Sequence, residues 1–269
     1  MVYADLHVHT AVSDGTLVLQ DLPGVAAEAG LGVVAVTDHD RVHPGLDAPV
    51  AERDGLTLIS GIELRVAATD QRVDLLGYAL SPTDALVAEL ERIQRDRVER
   101  GRSIVACVED RLDVTLDVDV VEGVGRPHVA RAVADHPDTA YERMADVFED
   151  LIGEGDPCYV ARDVPSFERG RALLSGASAV VGLAHPLRYP DPGAALDLSA
   201  DLDAVELHYP YDGPVGGPGD ASLALVEAAV ADHDLLVTGG SDAHGTTLGS
   251  AGLSRTEYER VAAEFPPVP

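Results

Sequence analysis

Two histidines separated by one residue stand near the amino terminus, in the run Asp5-Leu6-His7-Val8-His9. Because successive side chains of a β-strand point to opposite faces, His7 and His9 would share one face with Asp5. Two imidazoles on one strand face can ligate a metal ion, but core histidines with satisfied hydrogen bonds give the same local pattern. The pair by itself leaves both interpretations open.

Four more apolar runs end in imidazole or carboxylate side chains. They end in Thr37-Asp38-His39-Asp40, Gly61-Ile62-Glu63, Ala184-His185-Pro186 and Ser241-Asp242-Ala243-His244. In a parallel barrel the carboxyl ends of the strands collect at one mouth. Carboxylates gathered there would repel one another unless cations lay between them, so the five runs together predict an open, catalytic metal site with nitrogen and oxygen ligands. Taken singly, each residue is equally well explained as a helix cap or a core histidine.

The elements that would position these residues follow from an alternation of short β-branched runs with Ala- and Leu-rich segments, which is typical of repeated βα units around a parallel sheet. The pattern predicts helices at 20–30, 45–54 and 220–233. It predicts seven strands, near 2–9, 33–38, 56–66, 72–79, 179–185, 204–209 and 235–241. A length of 269 residues suits one such barrel with an insertion.

The alternation stops between residues 81 and 163, which we predict to be a mainly helical insertion with one strand at 112–121. The barrel would then consist of 1–80 and 164–269. Five arginines crowd the first predicted helix of the insertion, at Arg92, Arg95, Arg97, Arg100 and Arg102. A solvated face paired with nearby Glu and Asp is favoured over phosphate binding for this run.

The composition is strongly acidic, with 47 Asp and Glu against 19 basic residues, all of them Arg, and a net charge of −28. Since 46% of the residues are apolar, the composition argues against disorder. We predict a halophilic, haloarchaeal source, because a screening length of about 3 Å at 1 M salt makes such self-repulsion tolerable; an ordinary acidic protein is the alternative. The shortage of cations argues against binding of extended duplex nucleic acid, but not of a short nucleotide.

The two cysteines, Cys107 and Cys158, give neither a disulfide framework nor a CxxC zinc pair. The first residues lack a basic region followed by an apolar stretch, and no window approaches the run of about 18 apolar residues that spans a membrane. We therefore expect a cytoplasmic protein without a membrane partner. The oligomeric state stays open.

The ordered motifs resemble those of the polymerase and histidinol phosphatase (PHP) superfamily. They are HxH at His7 and His9, Asp14 in a Ser-Asp-Gly run, TDHD at 37–40, GIE at 61–63, AHP at 184–186 and GGSDAH at 239–244. GRPHVAR at 125–131, GEGDPCYVARDVPS at 153–166 and AHPLRY at 184–189 further resemble the TrpH-like branch of metal-dependent phosphoesterases. The resemblance implies a distorted seven-stranded (β/α)7 barrel with a helical insertion, and two or three divalent metal ions that act in the hydrolysis of phosphate esters.

The resemblance also implies a set of metal ligands. His7, His9 and Asp242 would hold one metal, Glu63 would bridge it to a second metal reached by His185, and Asp14, His39 and His244 would hold the third. Asp74 stands where relatives commonly have a histidine, and is either a ligand with a harder oxygen or a solvent-facing strand residue. This substitution favours Mn²⁺ or Fe²⁺ over Zn²⁺. Asp5, Asp38 and Asp40 are expected to be helix caps or to orient the ligating rings.

No side-chain nucleophile is expected, because a metal-bridging hydroxide would attack the phosphorus. Pro127 predicts a helix start at which Arg126 and His128 would bind substrate phosphate; an ion pair within the insertion is the alternative for Arg126. His208, two residues beyond Glu206 on one strand face, is a further substrate-binding candidate, against a core histidine.

TrpH-like relatives act on 3′,5′-bisphosphonucleotides and on the 5′ ends of short RNA. The resemblance therefore implies a phosphatase or a 5′-to-3′ exonuclease of small nucleotidic substrates. A histidinol-phosphate-type phosphatase is an alternative that the same metal chemistry would serve. A metal-stabilised binding module without turnover is the alternative outside the enzymes.

Overall fold

The computed structural model of the protein describes residues 1–211 and 220–267. The chain divides into two compact units. The barrel unit comprises Met1–Val87 and Pro165–Pro269, and the second unit comprises Ala88–Val164. The sequence from 210 to 219 is rich in glycine and proline and predicts a loop, which lies largely outside the described residues.

The barrel unit is built on one curled sheet, in the order β1-β2-β4-β5-β6-β7-β8, with β3 paired to β4. The strands are β1 Ala4–Val8, β2 Val33–Val36, β3 Val50–Arg53, β4 Leu56–Ala67, β5 Arg72–Tyr78, β6 Val180–Leu183, β7 Ala204–His208 and β8 Leu236–Gly239. The two ends of the sheet meet where Val8 of β1 forms a parallel bridge with Ala243, just beyond β8. The predicted distorted seven-stranded barrel is confirmed.

The sheet is mixed, which the expectation of a parallel sheet missed. β5 runs antiparallel to both of its neighbours, β4 and β6, whereas β1, β2 and β4 are parallel to one another, as are β6, β7 and β8. The short connection between β4 and β5 accounts for this, because a few residues can join antiparallel strands but a parallel crossover needs a dozen or more. The register sets Asp74 of β5 directly opposite Arg65 of β4.

The helices are α1 Leu22–Ala29, α2 Asp84–Leu112, α3 Arg126–Ala134, α4 Met144–Val147, α5 Phe167–Ser175, α6 Pro192–Asp197, α7 Asp220–His233 and α8 Arg255–Ala262. The helices predicted at 20–30 and 220–233 are confirmed. The helix predicted at 45–54 is wrong, because Val50–Arg53 pairs with β4 as β3. Pro49 explains the error, since a proline inside a helix removes a hydrogen bond and the residue before it favours an extended backbone.

The sheet is covered on both faces. Along β2, Val33 and Ala35 enter one buried apolar cluster, and Val34 and Val36 enter another. This explains why the strand is a continuous apolar run rather than an alternating one, as is typical of strands buried on both sides.

The second unit packs α3, α4 and the π-helical turn Phe148–Ile152 around its part of α2, with a small apolar core. A disulfide joins Cys107 on α2 to Cys158, 51 residues later. The strand predicted at 112–121 is wrong, because this stretch has no regular secondary structure after the end of α2. Among the described helices, none combines the length and the apolar composition that crossing a membrane requires.

Candidate metal centre

The predicted ligands lie where strands of the barrel unit end. His7 is on β1 and His9 follows the strand, while Glu63 is on the part of β4 that extends beyond its pairing with β2. His39 forms an isolated bridge with Glu63. The loop after β8 approaches β1 at Gly240, where a Cβ atom would lie 2.3 Å from the His7 backbone nitrogen. Only glycine permits this approach, which brings Asp242 beside the histidines of β1.

Five predicted ligands form what we call the inner cluster: His7, His9, Glu63, His185 and Asp242. Nε2 of His7 lies 3.6 Å from both Glu63 Oε1 and Asp242 Oδ1. Nε2 of His9 lies 3.4 Å from Glu63 Oε2 and 3.1 Å from Asp242 Oδ1. His185 Nε2 is 3.0 Å from Glu63 Oε1. His7 belongs to two groups with the spacing of metal ligands, one with Glu63 and His185 and one with His9 and Asp242.

Three further ligands, Asp14, His39 and His244, form the outer cluster and share His9 with the inner one. Asp14 Oδ1 lies 3.3 Å from His244 Nε2 and 3.7 Å from His39 Nε2. The ring of His9 has its centre 4.3 Å from the ring centres of both His39 and His244. The outer cluster is partly exposed, so it has access to solvent.

Several buried nitrogen and oxygen atoms of the two clusters lie close to polar neighbours but make no hydrogen bond. They include Nε2 of His7, Nε2 of His9 and Oδ1 of Asp14. An unsatisfied buried polar group costs about 1–3 kcal/mol, so several together need a compensating partner. Divalent cations between these nitrogen and oxygen atoms would supply it, and the residues therefore fit a metal site.

The two clusters shift each other's pKa values. Burial by itself would raise the pKa of the Glu63 carboxyl, but His39 and His7 outweigh it and hold this pKa well below its usual range. Burial by itself would lower the pKa of His244, but the nearby carboxylate of Asp14 raises this pKa to about 9. A cation that binds these imidazoles must displace their protons, so its affinity falls as the pH falls.

Two of the neighbouring acidic residues stabilise loops. Asp5 accepts hydrogen bonds from the backbone N–H and the hydroxyl of Ser241, at 2.9 and 2.6 Å. Asp38 accepts from the backbone N–H of Thr10 at 2.8 Å. The ring of His7 is held instead by Glu206 of β7, at 3.1 Å from Nδ1. Glu206 was not among the predicted site residues, although a glutamate inside the apolar run 204–207 was a signal.

Asp74 is buried, so the predicted solvent-facing position is wrong. Arg65 donates from Nε to Asp74 Oδ1 at 2.6 Å and from Nη2 to Oδ2. Asp74 Oδ2 is 3.9 Å from His185 Nε2, and among the described residues Asp74 is in none of the groups with metal-ligand spacing. The antiparallel register of β5 explains the pairing, because it places the two residues face to face.

A pocket of about 390 Å³ opens over the two clusters. Three arginines that were not among the predicted site residues line it: Arg65, Arg72 and Arg188. Arg188 Nη1 lies 3.2 Å from Asp242 Oδ2, which also accepts a hydrogen bond from the Tyr209 hydroxyl at 2.8 Å. The pocket thus combines a floor of candidate metal ligands with cationic side chains that can bind anionic oxygens.

Arg126 and His128 lie in the second unit, at the start of α3 where the sequence predicted a helix. Arg126 donates from Nη1 to the carbonyl oxygen of Ile152 at 3.0 Å, and its guanidinium lies over the Phe148 ring, 5.4 Å from the centre. His128 Nδ1 accepts a hydrogen bond from the backbone N–H of Gly125 at 3.1 Å. The His128 ring therefore caps the helix.

Arg126 is one of four clustered guanidinium groups, which we call the arginine group: Arg97, Arg100, Arg126 and Arg162. Arg97 and Arg100 are only 5% and 6% exposed. Burial, reinforced by the charges of the other three, lowers the pKa of Arg100 to about 10. The predicted solvated face holds for Arg92, which pairs with Glu89, but is wrong for Arg97 and Arg100.

His208 does not join the clusters. The pairing of β7 with β8 shifts register between Glu206 and His208, which breaks the alternation that would put both on one face. The His208 ring is half-exposed, and its Nε2 lies 3.1 Å from Glu257 Oε1 on α8. The predicted shared face of Glu206 and His208 is wrong, because a bulge is not visible in the sequence.

Comparisons with known proteins show what the chain is similar to. The profile of the PHP domain family matches residues 5–155. A 3′,5′-nucleoside bisphosphate phosphatase of Chromobacterium violaceum is 30% identical over 282 aligned positions, which cover 100% of this chain and 94% of the relative. The 5′-3′ exoribonuclease Rnm of Escherichia coli is 30% identical over 202 positions, covering 70% of this chain and 67% of the relative.

A solved structure from Bifidobacterium adolescentis, of a protein assigned as a metal-dependent phosphoesterase, superposes with a TM-score of 0.82. It is 26% identical and the alignment covers 99% of this chain and 97% of that one. The similarity therefore includes the second unit as well as the barrel unit.

Proposed function

Because the chain belongs to the PHP domain family, we propose that it is a metal-dependent phosphoesterase that acts on phosphate esters of small nucleotides or short RNA. The observation that carries this proposal is the convergence of the inner and outer clusters beneath a pocket lined by arginines. A phosphate ester needs both features, since its oxygens are anionic and its hydrolysis builds up charge at phosphorus and at the leaving group.

The ligands that we assign fall into three sets. His7, His9 and Asp242 would hold one cation, and Glu63 and His185 a second. Asp14, His39 and His244 would hold a third. Nitrogen and oxygen ligands without thiolate suit Mn²⁺, with Fe²⁺ or Zn²⁺ as alternatives. Such cations, once bound, lower the pKa of water and neutralise phosphate oxygens.

The arginine side chains that line the pocket have separate roles. Arg188, which is half-exposed in the pocket, binds oxygens of the substrate phosphate while Asp242 and Tyr209 hold its guanidinium in place. Arg65 neutralises Asp74, so that this buried carboxylate adds no net charge beside His185. In this arrangement Asp74 is not a metal ligand, and its ion pair helps to fix the wall of the pocket.

We infer the substrate class from the two relatives. The Chromobacterium violaceum relative, which spans the whole chain, is a nucleoside bisphosphate phosphatase. We also assign the arginine group of the second unit, which includes Arg126, to binding anionic oxygens. Arg100 is buried, and the charges of Arg162, Arg97 and Arg126 help to lower its pKa, so an anion beside it would be favoured.

The test uses the whole chain, stripped of metal and reloaded with Mn²⁺, at low and at molar KCl. The substrates are adenosine 3′,5′-bisphosphate, AMP, histidinol phosphate and a short 5′-phosphorylated RNA, and chromatography separates released phosphate from released mononucleotides. We expect Mn²⁺-dependent release of phosphate from the bisphosphate or of mononucleotides from the RNA. Turnover of histidinol phosphate alone, or of no substrate, would refute the proposed substrate class.

A further inference from the structure

Glu206 of β7 is a fully buried carboxylate that contacts two candidate ligands without being one of them. Its two oxygens lie 3.1 and 3.3 Å from Nδ1 of His7, and Oε2 accepts a hydrogen bond from the backbone N–H of His185 at 2.8 Å. Among the described residues, Glu206 belongs to none of the groups with metal-ligand spacing. One side chain thus connects ligands that come from two different strands.

The contact with His7 decides which ring nitrogen can bind a cation. An ionised carboxylate only accepts hydrogen bonds, so His7 must donate the proton of Nδ1 to Glu206. The opposite nitrogen, Nε2, is then available, and it is the atom that faces Glu63 and Asp242 at 3.6 Å. A metal-ligating imidazole needs this state, with one nitrogen held by an acceptor and the other presented to the metal.

The contact with His185 supports an unusual backbone conformation. His185 has a φ angle of 26°, in a range that residues with a side chain rarely adopt. Such a residue persists only where its surroundings hold it, and the Glu206 oxygen binds its N–H directly. The same carboxylate therefore aims the ring of His7 and fixes the backbone from which the ring of His185 projects.

We propose that Glu206 is a positioning residue of the metal centre, which orients His7 toward the first of the assigned cations and His185 toward the second. The inference rests on the metal site of the proposed function. Both oxygens of Glu206 act as acceptors, Oε1 in the shorter contact with His7 Nδ1 and Oε2 toward the backbone N–H of His185. An amide has one acceptor and one donor, so a glutamine at this place satisfies one partner at the expense of the other.

The test compares Glu206→Gln with Glu257→Gln in the whole chain. Glu257 is a matched control, because its carboxylate also contacts a histidine ring, His208, at 3.1 Å, but outside both clusters. Metal-free protein is titrated with Mn²⁺ alone in a calorimeter, and elemental analysis gives the stoichiometry. We expect Glu206→Gln to weaken Mn²⁺ binding about 10–100-fold at one site or more. The control should bind as the wild type does.

A spectroscopic signature separates positioning from a general effect on folding. In Zn²⁺-loaded protein with ¹⁵N-labelled histidine, the wild type and Glu257→Gln should show a slowly exchanging Nδ1–H resonance that disappears in His7→Ala. Glu206→Gln should lose it. If Glu206→Gln does not fold, Glu206→Asp keeps the charge on a shorter side chain and should weaken Mn²⁺ binding to a smaller extent.

Wild-type Mn²⁺ affinity together with a retained Nδ1–H resonance in Glu206→Gln would overturn the inference, as would wild-type affinity in a folded Glu206→Asp if only that variant can be studied. Because the titration contains no substrate, its result does not depend on which phosphate ester is hydrolysed. If the wild type hydrolyses nucleotides and Glu206→Gln keeps wild-type Mn²⁺ affinity, only the positioning role is refuted. A chain that binds no Mn²⁺ would refute the metal site itself.

Discussion

The barrel unit and the second unit each concentrate ionisable side chains, but of different chemical types. The inner and outer clusters gather carboxylates and imidazoles at the ends of strands, whereas the arginine group gathers four guanidinium groups around α2 and α3. Carboxylate oxygens and imidazole nitrogens are ligands for divalent cations, whereas guanidinium groups donate hydrogen bonds to anionic oxygens. The contrast supports assigning cations to the first region and anionic oxygens to the second.

The two units also differ in what stabilises them. The barrel unit has a sheet with buried apolar clusters on both faces and polar residues whose hydrogen bonds hold the loops at the site. The second unit has a smaller apolar core and a disulfide between Cys107 and Cys158. The free energy gained by burying a small apolar core barely exceeds the entropy cost of ordering the chain, so a covalent link has more effect there.

The largest effect that distinguishes the units is expected from His9→Ala, since His9 is shared by the inner and outer clusters. A bound metal contributes several kcal/mol of transition-state stabilisation, and each 1.4 kcal/mol is about tenfold in rate. Turnover of the best nucleotide substrate should fall by about 10³-fold in steady-state assays with limiting Mn²⁺, with an unchanged circular dichroism spectrum.

His233→Ala is the matched control, because His233 is exposed in the last turn of α7. It should retain wild-type turnover. Full activity of His9→Ala under the same metal-limited conditions would contradict the assignment of the shared ligand, and with it the claim that the barrel unit is organised around cations.

The next largest effect should be confined to the second unit. The disulfide closes a loop of 51 residues, and the chain-entropy argument gives about 4 kcal/mol as its largest contribution to the free energy of unfolding. In Cys107→Ser, hydrogen exchange measured by mass spectrometry should become faster in residues 88–164. Mn²⁺ affinity of the barrel unit should stay unchanged. Equal protection of the second unit in the variant and the wild type would show that its noncovalent core suffices.

The barrel unit could be predicted from the sequence to a large extent, and the reason is local. Each chemistry-bearing motif directly follows an apolar run, so one rule about strand ends places His7, His39 and Glu63 together. The direction of β5 could not be predicted in this way, because periodicity gives the faces of a strand but not its direction. Consequently the partner of Asp74, Arg65, appeared only in the structure.

The second unit was harder to predict, because its key contacts are distant in sequence and follow no period. The helices were expected, but the burial of Arg97 and Arg100 depends on packing against other segments of the unit. The pairing of Cys107 with Cys158 likewise depends on tertiary structure. Glu206 belongs with these cases, since a buried glutamate signals a polar contact without indicating its partner.

A moderate effect is expected from Arg100→Gln, which tests whether the arginine group binds anionic oxygens. A hydrogen bond to a charged group contributes about 1.5–3 kcal/mol, so calorimetry should show binding of adenosine 3′,5′-bisphosphate weakened about 10–100-fold. Ligand-free stability should stay equal or rise, because the change removes a charge that repels Arg97 and Arg162. Arg95→Gln, an exposed arginine on the same helix, is the control and should bind as the wild type does. Unchanged affinity for the bisphosphate in Arg100→Gln would contradict the assignment of anionic oxygens to the arginine group.

The smallest effect on turnover should come from His208→Gln, although the sequence predicted this histidine as a candidate for substrate binding. Its partner Glu257 has a pKa below the usual range, because it accepts a hydrogen bond from Ser254 and, to a smaller extent, because it faces His208. The pair therefore adds to stability at neutral pH, and the contribution is lost as the pH falls through that pKa. Exposed pairs contribute about 0–1 kcal/mol, so thermal unfolding at pH 7 should shift little and turnover should not change. A marked loss of turnover would mean that the bulge between Glu206 and His208 does not separate the two side chains as the register requires. His208 would then have to be included among the residues of the site.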